Sequence, residues 1–162
     1  DKSRACVGAL AVGIARRALD EAIAFVKERV TFGAPVSKRQ GIQWMIADMA
    51  TKIEASRQLV SHANDLQSKG LPFSKEAAMA KMFATQSAME VCTDAIQLMG
   101  GKGYMKEDCV EKLFRDIKAY CIFEGTNQIQ RAFNVKYPTE YIQRPEKWQA
   151  NQTAFAAFYE AL

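Results

Sequence analysis

Four long stretches of this chain contain neither glycine nor proline. They lie between Gly13 and Gly33, between Gly41 and Gly70, between Pro72 and Gly100, and between Gly103 and Gly125. The 9 glycines and 4 prolines of the 162 residues cluster at a few points. Such punctuation argues for long helices joined by short turns, and no stretch reads as a convincing strand. Hydrophobic residues make up 49 %, and the length suits one domain with a sizeable core. The expected fold is all-α, an up-and-down helical bundle.

The first helix is expected from about Lys2 to Arg29, with Val7, Leu10, Ala11, Ile14 and Ala18 on one apolar face. Gly8 and Gly13 either weaken it locally or admit close packing. Ser37 and Gln40 read as a capping box for a second helix that carries Ile42, Met45, Ile46, Met49 and Ile53 and ends at Lys69-Gly70. Pro72 and Ser74 open a third, striped by Met82, Met89, Cys92, Ile96 and Met99 and stopped by Gly100-Gly101. Asp108 to Glu111 resembles another capping box, for a short fourth helix from Val110 to Tyr120. A fifth follows Thr126. Pro138 and Pro145 bracket a looser stretch, and Trp148–Leu162 places Phe155, Phe158, Tyr159 and Leu162 at helical spacing. The domain is expected to span 1–136, with an atypical, helical extension over 137–162. The opening Asp1, directly on a helical pattern, suggests a piece of a longer protein.

The composition also excludes functions. A net charge of +4, with charges mixed along the chain, offers no tract for nucleic acid. His62 is the only histidine, which excludes a His-rich metal site. Cys6, Cys92, Cys109 and Cys121 form no C-x-x-C pair, so reduced thiols in the cytoplasm or the mitochondrial matrix are expected. The longest apolar run, Ala5 to Ala15, is too short to span a bilayer.

Chemistry points to Phe123-Glu124-Gly125-Thr126-Asn127-Gln128-Ile129-Gln130. Glu124 stands beside a glycine that would let a ligand approach the backbone. Thr126 can cap the next helix, whose start is electropositive. Glu124 is therefore placed where a general base could reach a substrate; the plain alternative is a solvated loop before an ordinary helix. Two further glycine-bearing turns, Arg29 to Gly33 and Gln97 to Gly103, could share a groove with it for a polar or phosphate-bearing ligand. Arg4, Arg16, Arg29 and Arg131 are candidate anion partners.

The ordered motifs have a family likeness. They are R-x-T-F-G at 29–33, Q-G-I-Q at 40–43, A-D-M-A-x-x-I-E-A at 47–55 and K-x-F-A-x-x-x-A-M-E at 81–90. D-A-I-Q-L-M-G-G-x-G-Y at 94–104, V-E-K-L-F-R-D at 110–116 and F-E-G-T-x-Q-I-Q-R at 123–131 follow. Together they resemble the C-terminal helical domain of the acyl-CoA dehydrogenases over roughly 1–136. That resemblance implies a flavoenzyme of fatty acid metabolism that holds FAD and desaturates the α–β bond of an acyl-CoA thioester. It implies helical N-terminal and β middle domains outside this chain, a homodimer or homotetramer, and an electron-transfer flavoprotein as electron acceptor. By that resemblance Glu124 is the catalytic base. Arg29, Val30, Thr31, Phe32, Arg39, Gln40 and the run Gln97, Leu98, Met99, Gly100, Gly101 contact the FAD of a neighbouring subunit. Thr126, Asn127 and Gln128 contact the subunit's own FAD, and Asp1, Lys2, Ser3, Arg4 and Gly125 touch the acyl-CoA. Arg4 is expected to hold Glu124 or the thioester carbonyl. Some family members place the base at the position of Ser3; a serine there leaves Glu124. An acyl-CoA oxidase and a non-catalytic helical oligomerisation module are the alternatives.

Overall fold

The computed structural model describes the backbone of residues 1–142 and the side chains of 1–134. Six α-helices dominate: α1 (Lys2–Glu28), α2 (Gln40–Ser68), α3 (Ser74–Met99), α4 (Gly101–Tyr104), α5 (Cys109–Tyr120) and α6 (Asn127–Ile142). α3 is the central member and touches α1, α2, α4, α5 and α6. Its sequence explains the position. Ala77, Ala78, Ala80, Ala84, Ala88 and Ala95 are all buried, and small side chains let neighbouring backbones come close on several sides. α1 answers with Ala5, Gly8, Ala11, Ala15, Ala18 and Ala22.

Gly8 marks the tightest approach. A Cβ there would lie 3.0 Å from Val60 Cγ2 on α2 and 3.3 Å from the Ala80 carbonyl oxygen on α3. Gly13 differs, because nothing lies within 4 Å of its Cβ position. Of the apolar face expected for α1, Val7, Ala11 and Ala18 are buried and Ile14 packs partly buried against the core. Leu10 is the exception at 55 % exposed, and Ala5, Gly8, Ala15 and Ala22 complete the buried stripe.

Other expectations are corrected at the helix ends. Ser37 does not cap α2: Val36–Lys38 form a 3₁₀ turn, α2 begins at Gln40, and the Ser37 carbonyl accepts from Gln43 Nε2 at 3.1 Å. Asp108 precedes α5 without a side-chain cap, and Glu111 pairs with Arg115 at 2.7 Å. Gly70 (φ +67°) does terminate α2, with Leu71 N–H donating to the Leu66 carbonyl. Two short strands, β1 (Val30–Thr31) and β2 (Ala34–Pro35), pair antiparallel around Phe32 and Gly33. Both turn residues have positive φ, as a type I′ hairpin requires. α6 continues through Pro138, since a proline removes one amide donor and can kink a helix without ending it. The apolar stripe of Trp148–Leu162 lies outside the described residues.

The ordinary core includes Cys92, whose thiol burial pushes up to about 12. Lys52 of α2 reaches Glu90 of α3 at 2.9 Å. That hydrogen bond lowers the Glu90 carboxyl below the usual range and raises Lys52. Among the described residues, no helix is long and apolar enough to cross a membrane.

Two outcomes follow, both read by denaturant unfolding of this chain. Gly8→Val is expected to destabilise by about 1–3 kcal/mol through overpacking, and Gly13→Ala to stabilise by about 0.5–1 kcal/mol. Equal effects at the two sites would refute the packing assignment. Glu90→Gln is expected to cost less than about 1 kcal/mol at neutral pH, because both side chains are partly solvated. A carboxyl with a lowered folded-state pKa stabilises above its unfolded value and loses that contribution as pH falls through the folded one. The difference from the wild-type chain should therefore vanish in acid, and one that grows in acid would refute the pair's role.

Candidate functional site

α5 ends at Tyr120, and the chain turns back on itself before α6. Ile122 and Phe123 N–H both donate to the Ala119 carbonyl, and Asn127 N–H closes the turn on the Cys121 carbonyl at 3.1 Å. Tyr120 and Phe123 rings pack edge to face at 4.9 Å. Within this turn Glu124 has φ +55° and Gly125 φ +87°. A side chain at Gly125 would be strained by that φ, and its Cβ, 2.6 Å from Gln130 Nε2, would displace the amide that braces the turn. Thr126 caps α6 as expected, its Oγ1 accepting from Ile129 N–H at 3.3 Å.

The Glu124 side chain is exposed, and the Ser3 hydroxyl donates to its Oε2 at 2.9 Å. The two positions at which the resemblance places a base are thus in contact. Arg4 does not hold Glu124. Its guanidinium pairs with Asp1 at 3.0 Å and lies 4.3 Å over the Phe133 ring, tying α1 to α6. Asp1 also accepts from the Ser74 hydroxyl, which joins the starts of α1 and α3. Of the two partners expected for Arg4, Glu124 and the thioester carbonyl, the first is corrected, because Asp1 and the Phe133 ring claim the guanidinium. Lys2 and Gln128 are exposed.

Beneath the turn lies a polar cluster. Lys81 of α3 has no exposed surface, and its Nζ donates to the Gly125 carbonyl and to Asn127 Oδ1, each at 2.9 Å. Thr85 Oγ1 lies 3.0 Å from the same Asn127 oxygen. Gln130 Nε2 donates to the carbonyls of Gly125 at 2.9 Å and Glu124 at 3.2 Å. Asn127, read as a ligand contact, has its side chain inside, with the oxygen engaged by protein and Nδ2 buried without a partner. The sequence held a signal for Lys81. It stands four residues after Ala77 and three before Ala84, on a stripe where a charge has no reason to be unless something binds it.

The second group of candidates meets at the other end of α1. A hollow of about 440 Å³ is lined by Arg29, Thr31, Gln97, Gly100, Gly101 and Lys102, among others. Leu98 and Met99 are buried core residues that set the turn in place. Arg39 donates to Thr31 through both the carbonyl, at 2.9 Å, and Oγ1, at 2.8 Å, and stacks on Phe32 at 5.1 Å. It braces the hairpin. Val30, Phe32 and Gln40 are exposed beside it. The 27 residues of α1 separate this hollow from Glu124 by about 40 Å at the helical rise. The three glycine-bearing turns therefore do not line one groove. Two lie together and the third stands at the opposite end. Of the remaining arginines, Arg16 pairs with Asp20, while Arg29 and Arg131 are exposed.

Comparison with known proteins agrees with the motifs. Residues 1–136 match the model of the acyl-CoA dehydrogenase C-terminal domain. An acyl-CoA dehydrogenase of Bacillus subtilis is 51 % identical over 131 residues, which are 81 % of this chain and 35 % of that protein. The structure of butyryl-CoA dehydrogenase from Megasphaera elsdenii superposes with a TM-score of 0.83 at 43 % identity, covering 84 % of this chain and 36 % of that one. A chain described with the electron transferring flavoprotein of Acidaminococcus fermentans gives 0.82 at 50 % identity, over 83 % and 35 %. The chain thus spans about a third of the length of the relatives it matches. Matched by that model over 1–136 and by these relatives, it belongs to the acyl-CoA dehydrogenase family, as that family's C-terminal domain.

Proposed function

We propose that this chain is the catalytic-base domain of an FAD-dependent acyl-CoA dehydrogenase, with Glu124 removing the α-proton of the thioester. The observation that carries the reading is the presentation of Glu124. Its carboxylate projects from a turn braced through the carbonyls of Glu124 and Gly125, and Ser3 fixes one of its oxygens. A base must be held to a bound proton within hydrogen-bond reach, and a rigid backbone with a single side-chain tether supplies that. Ser3, in contact with the carboxylate, helps to aim it.

The residues present fit a flavin dinucleotide. The hollow at the end of α1 gathers the Arg29 and Lys102 cations, the Gln97 amide and Thr31 around the glycine pair 100–101. These are donors and close-approach backbone suited to a phosphate-bearing ligand. Bound there and at Thr126 to Gln128, FAD would supply the hydride acceptor for the β-carbon. The family resemblance implies that one domain serves two flavins, its own and a neighbouring subunit's, and the separation of about 40 Å between the two stations along α1 supports that arrangement. Asp1, Lys2 and Gly125 would border the acyl-CoA. The chain is then part of a homo-oligomer, and exposed Phe32, Trp44 and Tyr104 are the side chains such an interface would cover. An electron-transfer flavoprotein would accept the electrons.

The test uses the full-length enzyme. Glu124→Gln should still bind FAD and acyl-CoA, while anaerobic flavin reduction in stopped flow falls by at least ~10²-fold. Ser3→Ala should cost far less, since it removes only a tether. Reduction at the wild-type rate in Glu124→Gln would remove the assignment. For this chain alone, light scattering is expected to show concentration-dependent self-association, and a clean monomer at high concentration would oppose the interface.

A further inference from the structure

We propose that Lys81 is a positioning residue for Glu124: from α3, its amine holds the Gly125 carbonyl and the Asn127 side chain, and so fixes the backbone that presents the carboxylate. The inference rests on the reading of Glu124 as the base.

A lysine without exposed surface needs a reason. Burial disfavours the charged amine and lowers its pKa, with the nearby Cys121 acting weakly against that. Among the described residues no carboxylate pairs with it, so no ion pair offsets the cost. If only volume were needed, a methionine would fill this alanine-lined position more cheaply. What Lys81 does instead is specific. The Gly125 carbonyl receives two donors, Lys81 Nζ from below and Gln130 Nε2 from α6, both at 2.9 Å. Asn127 Oδ1 likewise faces Lys81 and Thr85, one helical turn apart on α3. The anchored carbonyl belongs to the residue after Glu124, and the two residues with positive φ are the ones held. A left-handed pair persists only where its surroundings over-determine it. Lys81 connects that pair to the most buried helix of the domain, so the carboxylate inherits the rigidity of the core.

A positioning role differs from a merely structural one in what it costs. Displacing a base by about 1 Å can lower a rate by ~10²-fold without loss of binding. Lys81→Met keeps the length and removes the donors. In this chain, far-UV circular dichroism should stay helical, while amide hydrogen exchange over 123–128 accelerates and exchange in α1 to α3 does not. In the full-length flavoenzyme, flavin reduction at saturating acyl-CoA, counted per bound flavin, should fall by about 10- to 100-fold with KM little changed. Wild-type exchange, or an undiminished rate per bound flavin, would overturn the proposal. So would a fall explained wholly by lost flavin or raised KM. If Lys81→Met does not fold, Asn127→Ala removes one of the two acceptors and is judged by the same split. Glu124→Gln separates the two readings. Full activity there defeats the base assignment, whereas an inactive Glu124→Gln beside a fully active Lys81→Met defeats the positioning role alone.

Discussion

The close approach of α1 and α3 governs this structure. Both helices present alanines, with Gly8 at the tightest point, and neither has room for a larger side chain there. Small residues gain little from hydrophobic transfer individually, but they bring two long backbones together and leave few voids. α3 is thereby enclosed by α1, α2, α5 and α6. Anything attached to α3 is attached to the most enclosed helix of the domain, and Lys81 and Thr85 are attached there.

The same packing decides where chemistry can sit. With the long helices committed to one another, ligand-facing groups are left to the turns at their ends. α1 starts beside the Glu124 turn and finishes beside the hairpin and the Gly100-Gly101 turn. A rigid helix of this length is a spacer. It keeps the two stations at a fixed separation, too far apart for one small ligand.

The helices were legible because glycine and proline are confined to their ends and because the runs between them are long. The turns at Gly33, Gly70, Gly100 and Gly125 all have positive φ, which is the conformation that selects glycine. Cap chemistry was less legible. Ser37 and Asp108 fit a capping pattern, yet a 3₁₀ turn took up the first and neither makes the bond. Only Thr126, with a free helix start directly behind it, caps as read. On α1 one expected core position fails: Leu10 is exposed while Val7, Ala11 and Ala18 are buried, because the close approach to α3 rewards small volume. The alanine stripe marks Lys81 as buried, but the partners of Arg4 and Lys81 were illegible for one reason: a cation's partner is set by tertiary contact. Phe133 and Asp1 claim the first, and a backbone carbonyl 44 residues away claims the second.

Glu124 itself is exposed in this chain, with one hydrogen bond from Ser3. On the proposal that Glu124 is the base, its exposure conflicts with catalysis unless something covers the turn, because a solvated carboxylate is a weak base toward a thioester α-proton. The polar cluster cannot provide that cover, since Lys81, Thr85, Asn127 and Gln130 all lie on the core side of the backbone. Desolvation has to come from the opposite side, from the substrate, the flavin or another domain. The division is chemically sensible. The core side sets the geometry through bonds that do not depend on a ligand, and the outer face of the turn is left open. On that proposal the geometry of the turn is set before a substrate arrives, and water is excluded only when one is in place.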